Sequence, residues 1–199
     1  MYAIVENKKI IETFNNPKKL VIYDIRYSTK IYSLWTVDEK KAIGLYEVEY
    51  DDTKKKDEEW YINTNQTIAY KTTGDKVVAS YGNATAKAIN DRNAIDENGI
   101  ELDPVQVIKG LKTIKKEMIN NQCAELLAPS DWRVVKAKET ETEMDSGWKT
   151  WRASVRAKCN SMQTQIDNAS DVDDLATLFT YTTTDGVTSR PLGEFPEKE

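Results

Sequence analysis

Six apolar residues, Trp148, Trp151, Val155, Cys159, Met162 and Ile166, recur at spacings of three, four, four, three and four. On a helix of 3.6 residues per turn they fall on one seam. A helix with a single oily stripe must be covered by a neighbour. The chain offers one upstream: Val107, Leu111, Ile114 and Met118 repeat at four, three and four, and Cys123, Leu126 and Leu127 extend the apolar side. Asp103-Pro104 reads as its start, since Asp can cap and Pro suits the first turn. Pro129 stops it. A short connection then predicts an antiparallel helical hairpin. Asp167-Asn168 closes the second helix, and Ser170 with Asp173 opens a short third one over DVDDLATLFTY. Burying one large apolar side chain contributes about 1.5–3 kcal/mol, so a seam this small is marginal alone and oligomerisation is the expected supplement.

Upstream, the apolar period falls towards two. Apolar clusters flank Asn7-Lys8-Lys9 in MYAIVENKKIIETF, a hairpin signal. Asn15-Asn16-Pro17 breaks the chain, and Val21, Tyr23, Ile25 and Tyr27 then alternate as on a half-buried strand. Thr36 and Glu39 have capping-box spacing, Gly44 ends that helical turn, and Leu45 to Tyr50 is strand-like. The mixed-sign run DDTKKKDEE reads as a solvated loop. Beyond it, WYINTNQTIAYKTTGDKVVASYGNATAKAIND suggests two or three antiparallel strands in a meander, turning at Thr73-Gly74-Asp75. The expected class is α+β: an N-terminal antiparallel β-rich module (1–90), a linker (91–102), the helical hairpin with its short third helix (103–180), and an extended arm (181–199).

Composition narrows the chemistry. Among 199 residues there is no histidine and only two cysteines. That removes Ser–His and Cys–His nucleophile pairs and imidazole metal ligands, and a Cys-only zinc site needs about four thiolates. Cys123 and Cys159 are expected as small buried hydrophobes in helices. The paired carboxylates Asp51-Asp52, Glu58-Glu59 and Asp173-Asp174 read as solvated or as helix-dipole partners. Asp91, Asn93, Asp96, Glu97 and Asn98 miss the register of a calcium loop, and no phosphate-binding glycine motif occurs. No enzyme activity, cofactor or metal is therefore expected.

The net charge of −5 gives no whole-molecule attraction to nucleic acid or anionic membranes. Lys136, Lys138, Lys149, Arg152, Arg156 and Lys158 do make the hairpin locally basic. Trp148 and Trp151, however, belong to its seam rather than to a base-stacking platform. There is no run of about 18 apolar residues for a membrane span. MYAIVENKKIIETF lacks the features of a secretory signal, so action where the chain is made, or in something assembled there, is expected. Five Trp and ten Tyr exceed what the seam needs, and Trp, Tyr and Arg favour protein interfaces. The candidate interface residues are Trp132, Trp148, Trp151, Arg152, Arg156, Trp35 and Trp60.

The succession NNQCAELLAPSDWRVVKAKET, WKTWRASVRAKCNSMQTQID and DVDDLATL resembles the C-terminal region of small tail and tail-fibre-associated proteins of tailed bacteriophages. The features fall on Leu126, Leu127, Asp131, Trp132, Val134, Glu139, Thr140, Arg152 and Arg156. Upstream, LWTVDEKKAIGLYEV and VVASYGNATAKAINDRN are similar as well, and the closing aromatic-Pro is met as Phe195-Pro196. The resemblance implies a strand-like basic turn after Trp132 and no catalytic residues. It implies a virion component at tail, neck or fibre, in several copies, or else a tail-fibre assembly protein absent from the finished particle. From the residues, Asp131 is expected to cap a turn and Trp132 to fold back under Leu126 and Leu127, fixing the angle between the helices.

Overall fold

The computed structural model describes residues 1–64 and 66–198; Asn65, within the expected meander, and Glu199, the end of the expected arm, lie outside the described residues. The chain is α+β and divides into two compact units, Met1–Thr85 and the remainder from Ala86.

The first unit is built on a five-stranded sheet. Strands β1 (Tyr2–Glu6) and β2 (Lys9–Phe14) form the expected hairpin, with Asn7 and Lys8 both at positive φ. Two further strands, β3 (Leu20–Ile22) and β4 (Ile25–Tyr27), make a separate hairpin; a short helix α1 (Ile31–Leu34), a second helix α2 (Val37–Ala42) and β5 (Leu45–Asp51) follow. After β6 (Tyr61–Ile62) come β7 (Thr67–Lys71) and β8 (Lys76–Ser80). The sheet order is β2-β1-β5-β8-β7. All its pairings are antiparallel except β5–β8, which is parallel from Val48↔Val77 to Asp51↔Ser80. The expected local meander is thus only the β7–β8 pair, turning at Gly74 and Asp75 with φ of 82° and 44°.

Side-chain alternation gives the sheet two packed faces. Ala3, Val5, Tyr46, Val48, Val77 and Ala79 form one core. Ile4 and Leu45, pointing the other way, join Leu20, Ile22, Ile31 and Tyr32 in a second. Packing on both faces explains why β1 carries three buried residues in a row. Helix α2 opens with the expected capping box: Glu39 donates its N–H to Thr36 Oγ1, and Thr36 donates its N–H to Glu39 Oε2 at 2.8 Å. Gly44 then turns at φ 81°, where a Cβ would run into the Val5 carbonyl.

The reading of residues 21–27 as one strand is corrected. Tyr23 and Asp24 both adopt positive φ and form a two-residue turn, so the apolar pair that goes inward is Leu20 and Ile22. Val21, Tyr23 and Ile25 are exposed. A single turn in mid-run reverses the register and with it the buried face.

In the second unit the expected linker is itself structured. Arg92–Asn93 pairs with Val107–Ile108, Ile95 bridges Glu101, and Asp96 closes the tip by accepting N–H groups from Asn98 and Ile100. Helix α3 (Leu111–Leu127) starts at Leu111 instead of after Asp103-Pro104. The amides that a helix start leaves unpaired decide this. Gly110, Leu111 and Lys112 donate to the Asp91 carboxylate, the Ala88 carbonyl and the Ile89 carbonyl at 2.7, 3.0 and 3.0 Å. Gly110 lies so close to the Asn90 backbone that a Cβ would overlap it.

Pro129 ends α3 in a 3-10 turn over Ala128–Ser130. The expected strand-like segment is instead a helix, α4 (Asp131–Glu139), with Asp131 in its first turn and Lys136 and Lys138 in its last, complementing the dipole. The long helix α5 (Ser146–Asn168) and the short α6 (Val172–Phe179) complete the set. The cap of α6 is Asp171, which accepts from Asp174 N–H; Ser170 hydrogen-bonds the Asp174 side chain.

Helices α3 and α5 form the expected antiparallel hairpin. Lys112 and Lys116 reach Asp167, Asn120 meets Gln163, and Leu127 meets Arg152. On α5, Val155, Cys159, Met162 and Ile166 are buried as expected. On α3 the buried stripe is Leu111, Lys115, Ile119 and Cys123; Ile114 is exposed. Both cysteines are free and buried, and burial, then the neighbouring Cys159, pushes the Cys123 thiol up. The terminal stretch is not a loose arm. It forms a hairpin of Thr182–Thr184 with Val187–Ser189, and then lays a fully buried Leu192 into the unit. Lys158 Nζ donates to the Leu192 carbonyl at 2.9 Å.

Candidate functional site

The elbow between α4 and α5 collects most of the expected interface residues. Its foundation is Arg152, an α5 residue only 7% exposed. Its guanidinium donates to the Leu127 carbonyl at 2.8 Å, to Ser130 Oγ, and to Asp131 Oδ1 at 2.6 Å. One planar fork therefore ties the end of α3, the 3-10 turn and the start of α4. The elbow angle is set by this arginine and not, as expected, by Trp132. Arg152 is structural support and not an exposed anchor.

Trp132 points outward and is 52% exposed, with Val134 and Val135 on the same helix at 44% and 54%. Arg133 lies between two indoles: its guanidinium is 4.6 Å from the Trp132 ring and 4.5 Å from the Trp148 ring. Lys136 adds a second cation 6.0 Å from Trp132, and Lys198 one 5.4 Å from Trp148. Trp148 and Trp151 meet edge to face at 5.6 Å. Asp145 caps α5 by accepting the Trp148 N–H at 3.1 Å, which fixes where that indole projects. Trp151 donates its indole N–H to the Pro196 carbonyl at 3.0 Å. The result is a ladder of alternating indoles and cations, each contact contributing about 0.5–1 kcal/mol where solvent reaches it.

Arg156 is exposed on α5, one turn beyond Arg152. Trp35 and Trp60 belong to the other unit. Trp35 is half-buried, edge to face with Tyr27 at 5.8 Å, and Trp60 is buried, so Trp60 is a core residue and not an exposed anchor. Arg133 and Lys198 are the members of the ladder that sequence reasoning missed. Arg133 adjoins Trp132 in the chain and was within reach of a charge-and-aromatic reading; Lys198 is brought in only by the folded terminus.

The ladder's chemistry is recognition through flat apolar faces and fixed positive charge. Among the described residues no group of three Cys, Asp or Glu side chains is arranged to hold a metal ion. Among the same residues no helix is long and apolar enough to cross a membrane. No family model, curated protein or solved structure matches this chain.

Proposed function

We propose that this chain is a non-enzymatic structural component of a tailed-bacteriophage particle, docking in several copies onto tail, neck or fibre proteins through its α4–α5 elbow. The observation that carries the docking is Trp132 with Val134 and Val135: three large apolar side chains left in solvent on one short helix. Arg152 holds that helix rigidly from below, so little order is lost when a partner covers it. Exposed Trp beside Arg is the composition of an interface hot spot. The resemblance of residues 120–178 to tail-associated proteins of phages supports the choice of particle. Neither nucleic acid nor membrane is the partner in this reading.

Mass spectrometry of purified particles, followed by electron cryomicroscopy, tests it. The expected result is the chain in the mature virion with the elbow against a neighbouring protein. A chain required for infectivity but missing from the finished particle would instead support an assembly chaperone for the tail fibre.

A further inference from the structure

Beside the ladder, α4 and α5 enclose a groove of about 290 Å³. Its walls are Val134, Ala137 and Met144, with Lys149, Arg152 and Arg156 along α5 and no acidic side chain among them. Arg152 is committed to Leu127, Ser130 and Asp131. Lys149 and Arg156 remain, seven residues and so about 10.5 Å apart along the helix axis. Lys149 does meet Glu143 at 3.4 Å, but both are widely exposed, 69% and 89%, so that pair is readily exchanged for another carboxylate.

We infer that this groove takes an acidic amphipathic helix of another protein. One aliphatic side chain sits over Val134, Ala137 and Met144, and carboxylates a heptad apart engage Lys149 and Arg156. The inference rests on the docking reading above and names the chemistry of its partner. The volume lies just below the range of small-molecule sites, about 300–1,000 Å³, and suits a single side chain. Phosphate recognition would require denser positive charge along the walls.

The test uses the full chain and two synthetic fifteen-residue peptides, EAALAAAEAALAAAE and its Lys-for-Glu counterpart, titrated by fluorescence anisotropy. The acidic peptide is expected to bind saturably and more weakly as salt rises. The double variant Lys149→Glu/Arg156→Glu should weaken it by about tenfold or more and gain affinity for the basic peptide. Val134→Asp should abolish binding from the opposite wall. Circular dichroism checks the fold, and Val134→Asp or either single reversal serves if the double variant misfolds. Absent or variant-insensitive binding overturns the inference. So does self-association lost in the same variants, which would make the occupant a second copy, or competition by a single-stranded thymidine oligonucleotide. A failed titration removes the groove's role while leaving the particle question open; absence from virions does the reverse.

Discussion

Arg152 shows how much of the helical unit hangs on one side chain. Replacing it with Met keeps a stem of similar girth but strips the guanidinium from the Ser130 oxygen and the Asp131 carboxylate, and leaves the Leu127 carbonyl with the Ser130 hydroxyl as its side-chain donor. Arg152→Met should cost about 3 kcal/mol, read as a lower urea midpoint of the helical signal. Arg152→Lys should recover only part, because an ammonium cannot reproduce the fork. In the other unit, Asp75 Oδ1 accepts the hydroxyls of Tyr70 and Tyr46 at 2.7 and 2.8 Å. Those two donors, Tyr70 first, hold the carboxyl below its usual range. Burial first, then Asp75, pushes Tyr46 above the usual phenol range. A lowered carboxyl stabilises the fold above its unfolded value near 3.9, and that contribution fades as pH falls through the lowered folded value. A raised phenol contributes fully below about pH 10 and loses its effect as pH rises through its folded value. The stability gap between the natural chain and Asp75→Asn should therefore be flat through neutral pH and shrink in acid. A gap unchanged down to about pH 2 would contradict this assignment.

Elements differ in how plainly the sequence declares them. The Thr36–Glu39 box and the Asn7–Lys8 turn are local devices whose parts lie within a few residues, and each forms as read; the α5 seam is buried from Val155 to Ile166, while its first two members, Trp148 and Trp151, stay half-buried. Four others were hidden. Tyr23 and Asp24 enter positive φ without a glycine to announce it, so the β3–β4 turn looks like continuous strand. The start of α3 depends on carbonyls at 88 and 89 and a carboxylate at 91, a pairing that no local cap signals. The parallel β5–β8 pair joins segments separated by β6 and β7. Helix α4 has two adjacent valines, which look strand-like until Arg152 anchors its first turn. Of the site, the tryptophans and the basic character were readable, but which ones are exposed was not. The rotated stripe on α3 gives a direct check: Ile119→Ala should cost about 3 kcal/mol, whereas Ile114→Ala should cost less than about 1 kcal/mol. Equal losses in denaturant titrations would restore the stripe through Ile114.

At the scale of the whole molecule, the end of the chain is a working part of the helical unit. Leu192 is fully buried, Tyr181 donates to Glu194 at 2.8 Å, and Pro196 accepts the Trp151 indole N–H. Deleting residues 194–199 should free Trp148 and Trp151 to water and shift the tryptophan emission to the red, with little change in helical signal. An unshifted spectrum would mean the terminus does not rest there in solution. The Trp151–Pro196 bond also bears on how this protein is handled at the bench. A purification tag joined directly to Lys198, whose Nζ lies 5.4 Å from the Trp148 ring, would sit beside the very indoles that a binding assay sets out to probe.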